Sequence, residues 1–289
     1  MTEAVFLDYD QERLDALLDV RRRVPDHEAY VERFEARSAD VGSGPGARID
    51  LRYGSHERER LDLFLPPAAT GPVPVNVFFH GGYWRSGDKE RYSYIAEAFT
   101  PAGAACAVIE YALVPTVSLD ELIRQCRAAL AHIYREAGSL GVDATRIHIS
   151  GHSAGGQIVG MLMADGWQQP LGLPAEVVRS GCGISGLYDM QPIRLSYLNA
   201  TLGLDHDTAR RNSPSLLRPA TSAPLILAVG ALEGDEFLRQ SAIMEAAWAG
   251  DVAITPMILN GGHHYSAVEA LGDPDSELAR AVLAQMHLA

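Results

Sequence analysis

The chain of 289 residues is 47% hydrophobic and 21% charged, with a formal net charge of −13. That length and balance suit one large globular α/β domain or two small ones, with enough apolar residue for a sizeable core. The acidic excess argues against nucleic acid or an anionic membrane surface as partner, no apolar run reaches the length of a membrane-spanning helix, and the first ten residues have neither the basic nor the apolar part of a secretory leader.

Residues 8–40 are charged and helix-like: Leu14, Leu17 and Leu18, then Tyr30, Val31 and Phe34, recur at helical spacing. Residues 41–46 (Val-Gly-Ser-Gly-Pro-Gly) form a flexible break. Two alternating runs follow, 47–53 and 60–65, and read as an antiparallel hairpin. The pattern then changes to continuous apolar strands, 74–79 and 104–111. A helix is expected over 118–137, with Ser118 and Glu121 as a capping box and Leu122, Ile123, Cys126, Leu130 and Ile133 on one face. Further strands are expected at 146–150, 177–185, 223–230 and 253–259, and helices after Ser153, over 236–249 and over 275–287. The stretch 186–222 has no clear period and reads as a loop-rich insertion. Apolar strands alternating with helices imply a mostly parallel sheet covered on both faces, an α/β fold. Residues 1–45 form an N-terminal helical segment that partly covers the site, and 46–289 one catalytic domain.

Cys106, Cys126 and Cys182 are widely spaced and odd in number. Each falls in an apolar element, as buried free thiols do, and none has metal-binding spacing. A cytoplasmic, reducing location is expected.

Gly151-His-Ser-Ala-Gly155 is G-x-S-x-G at a strand-to-helix junction. Glycines there permit a sharp turn that exposes the Ser153 hydroxyl at a helix N-terminus, as a nucleophile needs. A serine needs a base, and the base an orienting acid, each on a loop at a strand's C-terminal end in the chain order serine, acid, histidine. The acidic turn 231–236 (Ala-Leu-Glu-Gly-Asp-Glu) and the 260–266 loop (Asn-Gly-Gly-His-His-Tyr-Ser) stand at those places. After strand 74–79 comes His80-Gly-Gly-Tyr-Trp84, whose glycines let backbone N–H groups, with that of Ala154, approach a developing oxyanion. Tyr83 and Trp84 suggest an aromatic-lined pocket that binds substrate.

His80-Gly-Gly-Tyr-Trp-Arg-Ser-Gly-Asp-Lys89 and Gly151-His-Ser-Ala-Gly155, with Ser185-Gly-Leu-Tyr-Asp189, Arg211-Asn-Ser-Pro214 and Glu236-Phe-Leu-Arg-Gln-Ser241, resemble the kynurenine formamidase (arylformamidase) branch of the α/β-hydrolase fold, near the hormone-sensitive-lipase-like esterases. The resemblance runs from about residue 50 to 270. It implies a triad of Ser153, Glu233 and His264 and oxyanion donors at Gly82, Tyr83 and Ala154. The family's usual acid three residues before the Glu-Phe pair is Asp; here it is Glu233, and Asp235 competes for the role. The implied reaction is removal of a formyl or acetyl group from an aromatic amide or ester. No cofactor or metal is called for. The partner is a small-molecule substrate, a homodimer is compatible, and neither nucleic acid nor membrane is expected. The rival readings are a general short-chain carboxylesterase and, more remotely, a non-enzymatic binding protein on a hydrolase scaffold.

Overall fold

The computed structural model describes residues 3–288. Eight strands form one sheet: β1 (Ala47–Arg52), β2 (Arg60–Phe64), β3 (Val73–Phe79), β4 (Ala105–Ile109), β5 (Val142–His152), β6 (Gly181–Ile184), β7 (Leu225–Gly230) and β8 (Ile254–Leu259). Their spatial order is β1-β2-β4-β3-β5-β6-β7-β8. The β1–β2 and β2–β4 pairs are antiparallel; from β4 onward every neighbour is parallel. Parallel strands need crossovers, and the helices supply them.

Strands β4 and β7 are buried along their whole length and β3 beyond its first residue, which is why they read as unbroken apolar runs rather than as alternation. One face of the sheet packs Val75, Val77 and Phe79 against the helices Leu119–Arg135 and Ala154–Met163. The other packs Phe78, Val108 and Ile226 against the C-terminal helix Glu277–Gln285 and the turn of helix at Lys89–Ile95. The three cysteines are free and buried. Among the described residues, no helix is long and apolar enough to cross a membrane.

The N-terminal residues fold as α1 (Gln11–Leu18), α2 (Val20–Arg23) and α3 (His27–Gly42). They share the cores of the sheet domain: Leu14, Leu17 and Leu18 join one face, Phe34 the other.

Three local expectations are corrected. Ser118 caps its helix by accepting from the Glu121 N–H, but the capping box is only half made. The Glu121 carboxylate turns to Arg124 and Gln125 instead, a charged partner outcompeting a backbone N–H. The strand expected over 177–185 is confined to β6, because residues 175–177 make a short turn of helix first. The stretch 186–222 is not all loop: it holds the short helices Gln191–Leu195, Asn199–Leu202 and His206–Arg211. Helices of four to six residues are too short to show a period or to stand without packing.

Because β3, β5, β6, β7 and β8 are parallel, their C-terminal ends emerge on one edge of the sheet. Residues 80–84, 153, 185, 233 and 264 all follow those ends. This edge is where open α/β sheets place ligands.

Candidate active site

Ser153 stands between β5 and the helix Ala154–Met163 with φ 57° and ψ −116°. A non-glycine residue in that region is strained, and such strain persists only where the surroundings fix it. Here the Ser153 N–H donates to the Ile184 carbonyl at 2.8 Å. The turn is also too tight for side chains: a Cβ on Gly155 would stand 1.9 Å from the Phe79 carbonyl oxygen. Ala154 begins the helix, so its N–H belongs to the free first turn, at the positive end of the helix dipole.

His264 begins the helix His264–Glu269, just beyond β8, and is buried. Its Nδ1 lies 2.6 Å from Glu233 Oε2. A carboxylate only accepts, so Nδ1 carries the hydrogen and the neutral ring keeps its Nε2 lone pair. Glu233 is buried on the loop after β7, and its other oxygen accepts from the Ser185 hydroxyl at 2.5 Å and the Gly230 N–H at 2.7 Å. Asp235 is remote from this pair. Its carboxylate is exposed and lies 3.6 Å from Arg13. It is the first residue of the helix Asp235–Trp248, not its cap: Gly234, with φ 88°, occupies that position.

His263, beside His264, does other work. Its Nδ1 accepts from the N–H groups of Tyr265 and Ser266, capping the helix, and its Nε2–H donates to the Tyr30 hydroxyl at 3.0 Å. His152 packs against His264 with ring centroids 4.5 Å apart, and its Nε2–H donates to the His264 carbonyl at 2.9 Å. Burial and the neighbouring His264 hold His152 well below the usual histidine range, so it stays neutral.

The loop after β3 is where an anion trap is expected. Gly82, Tyr83 and Trp84 all have positive φ (119°, 48° and 59°), and the turn closes with Arg85 and Ser86 donating to the Gly82 carbonyl. Among the described residues, the Gly82 and Tyr83 N–H groups have no protein acceptor. The loop is anchored from below. His80 is fully buried, stacks on Tyr111 at 4.3 Å, and contacts Glu110 through Nε2 at 3.2 Å. Glu110 also takes Arg58 at 2.6 Å. Burial pushes the Glu110 carboxyl up, but His80, Arg58 and the Tyr111 N–H outweigh it and hold it below its ordinary value.

A cavity of about 540 Å³ opens above Ser153 and His264. Gly82, Tyr83, Arg85 and Tyr197 line one side, and Asp19, Arg21, His27 and Phe34 from the N-terminal segment line the other. Trp84, expected to line this pocket, does not. Its ring is fully buried and its indole N–H donates to Gln157 at 3.0 Å, because the positive φ turns the side chain down into the core. Ser153 and His264 share the cavity, but no hydrogen bond joins them among the described residues; such bonds often close only around a substrate.

The sequence reading gave no role to Ser185, His152, Glu110 or Arg85. Ser185 opens one of the stretches behind the family resemblance, and Glu110 was visible as a lone acid at the end of an apolar strand.

Comparison with known proteins bears on this arrangement. Residues 61–171 match the BD-FAE family model. Kynurenine formamidase of Danio rerio is 27% identical over 261 residues, 88% of this chain and 87% of its own. Kynurenine formamidase of Salmo salar is 26% identical over 245 residues, 82% of this chain and 81% of its own. The crystal structure of a putative thioesterase from Silicibacter sp. TM1040 superposes with a TM-score of 0.81 at 31% identity, covering 93% of this chain and 98% of that one.

Proposed function

Because the chain is a kynurenine formamidase-like α/β-hydrolase, near the hormone-sensitive-lipase-like esterases, and hydrolyses acyl or amide bonds, we propose that it is a serine hydrolase removing a formyl or acetyl group from an aromatic amide or ester. Ser153 is the nucleophile, His264 the base and Glu233 the acid that orients it.

In this reading His264 Nε2 takes the Ser153 proton as the oxygen attacks the substrate carbonyl. The N–H groups of Gly82, Tyr83 and Ala154 hold the oxyanion of the tetrahedral intermediate. The imidazolium then gives its proton to the leaving amine or alcohol, and Glu233 stabilises the ring while it is charged. Water, activated by the same imidazole, releases the acyl group.

The observation that supports the reading most is the 2.6 Å pair of His264 Nδ1 and Glu233 Oε2 beside the cavity shared with Ser153. The aromatic side of the proposal draws on the cavity wall, where Phe34, Tyr83 and Tyr197 offer ring surface. The test is labelling by a fluorophosphonate probe, with turnover of N-formylkynurenine and p-nitrophenyl acetate, for the wild type and Ser153→Ala. Labelling lost in the variant, with turnover of both substrates falling by several orders of magnitude, is the expected result. A Ser153→Ala protein with near-normal turnover removes the mechanism. Ester turnover without any formamide turnover favours the carboxylesterase instead.

A further inference from the structure

Ser185 has φ 51°, a left-handed conformation that costs a serine and nothing for a glycine. It follows β6 directly and is fully buried. Its own N–H donates to the Ala228 carbonyl on β7 at 2.7 Å, and the carbonyl of the residue before it accepts the Ser153 N–H at 2.8 Å. Its hydroxyl donates to Glu233 Oε1 at 2.5 Å, a short bond to a buried carboxylate. The dipeptide 184–185 therefore holds the Ser153 turn through the backbone and the Glu233 loop through a side chain. It stands on the strand between the two.

We propose that Ser185 is a positioning residue for the triad: its hydroxyl fixes the rotation of the Glu233 carboxylate so that Oε2 meets His264. This rests on the serine-hydrolase reading given above. A glutamate has three side-chain torsions to settle, one more than an aspartate. With only the Gly230 N–H on Oε1, the carboxylate group retains rotations that turn Oε2 away from the imidazole. The second donor, from the C-terminal end of the neighbouring strand β6, removes them. A serine kept in a backbone conformation suited to glycine is explained by what its hydroxyl does, since the backbone bonds of residue 185 are open to any amino acid.

The experiment uses the full chain carrying Ser185→Gly, with Ser185→Ala beside it. For both, kcat on p-nitrophenyl acetate is expected to fall on the order of tenfold or more with KM unchanged, as when a partner behind a functional side chain is lost. The thermal midpoint of Ser185→Gly is expected at or above the wild-type value, because the strain is relieved. That split between activity and stability is not what a structural serine produces. In a Glu233→Asp background the shorter acid withdraws from Ser185, so Ser185→Gly is expected to cost no more than about twofold there, a non-additive pair. Equal losses in both backgrounds overturn the proposal, as does a kcat within about twofold of wild type for the single variants. If Ser185→Gly does not fold, Ser185→Ala, which leaves the backbone demand unchanged, decides by the same numbers. Ser153→Ala separates the two claims. If it stays active, the hydrolase reading itself fails; if it is inactive while Ser185→Gly and Ser185→Ala are unaffected, only the role of Ser185 fails.

Discussion

Tyr83 donates its phenol hydrogen to the Leu18 carbonyl across 2.7 Å, joining the loop beside Ser153 to the last residue of α1. The bond is a persistent one, since burial pushes the Tyr83 hydroxyl far above its ordinary pKa and keeps it a donor. Tyr30 on α3 meets His263, the neighbour of His264. The N-terminal segment is thus tied to both loops that flank Ser153, and its residues form one wall of the cavity. Tyr83→Phe removes the first tie and leaves the ring in place. It is expected to cost about 1 kcal/mol of stability, measured by denaturant unfolding, and to lower kcat/KM more than kcat. An unchanged KM would mean that the N-terminal segment does not shape the bound substrate.

The two histidines and two acids of the site separate by what they touch. His264→Ala is expected to reduce kcat by several orders of magnitude. His263→Ala loses a helix cap and the Tyr30 contact, so it is expected to lower stability by about 1 kcal/mol and activity only modestly. Glu233→Gln leaves a neutral partner opposite His264, with an amide that presents either an oxygen or an N–H to Nδ1, and kcat is expected to fall at least about a hundredfold. Asp235→Asn breaks only an exposed pair with Arg13 and is expected to change stability by no more than about 0.5 kcal/mol. Steady-state kinetics and thermal melts of the four variants check both rankings; the reverse order in either pair rejects the assignment.

What the sequence made legible was whatever is local. Ser153 sits in a five-residue motif at a strand-to-helix junction, and the motif is contiguous in the chain even though the contact that demands Gly155 comes from Phe79 on β3. The family resemblance put Glu233 at the acid's position and left Asp235 as a competitor; in the fold the carboxylate of Glu233 lies against His264 and that of Asp235 faces Arg13. The order of strands and helices was readable because buried parallel strands are continuous apolar runs. What stayed hidden depends on contacts between distant parts of the chain. Ser185 acquires its partner 48 residues on, across a strand boundary. Trp84 follows the glycines as an aromatic lining should, but its ring goes to Gln157, 73 residues away, and no periodicity reports a side chain turned inward by a positive φ.

Acid should destabilise the fold through His148. Burial, then the charges of Arg146, His287 and Arg179, lower its pKa to about 4. In the unfolded chain a histidine titrates near 6.5. Between those values the unfolded state binds a proton that the folded state refuses, so stability falls as the pH drops from about 6.5 toward 4 and this contribution is exhausted below. The shift corresponds to about 3 kcal/mol at most. His148→Asn keeps a polar group opposite the Ser180 hydroxyl, which now sits 2.8 Å from Nδ1, but cannot titrate. Between pH 7 and 4.5 its thermal midpoint is expected to fall less than that of the wild type. Parallel curves would show that His148 is not the group responsible.

The last expectation concerns the substrate itself. Beside Ser153 the backbone is close-packed: a Cβ on Gly81 would stand 3.1 Å from Ser153 Cβ and 3.0 Å from the His152 carbonyl oxygen. If the group removed is formyl or acetyl, as proposed, kcat/KM on aryl esters is expected to fall as the acyl chain lengthens. The cavity is also lined by charged side chains. Arg85 lines it, and its side chain has the neutral Thr201 hydroxyl at 3.2 Å and the Tyr197 ring at 5.8 Å, with no carboxylate in ion-pair range among the described residues. A guanidinium so placed is available to an anionic leaving group, and a charge-assisted contact of this kind contributes about 1.5–3 kcal/mol. Arg85→Ala should therefore raise KM for N-formylkynurenine, which carries a carboxylate, by about tenfold or more, and leave p-nitrophenyl acetate, which carries none, nearly unchanged. The comparison needs both substrates on both proteins. Equal losses on the two would mean that Arg85 holds the loop rather than the ligand, and rising turnover toward octanoyl esters would reject the small acyl pocket.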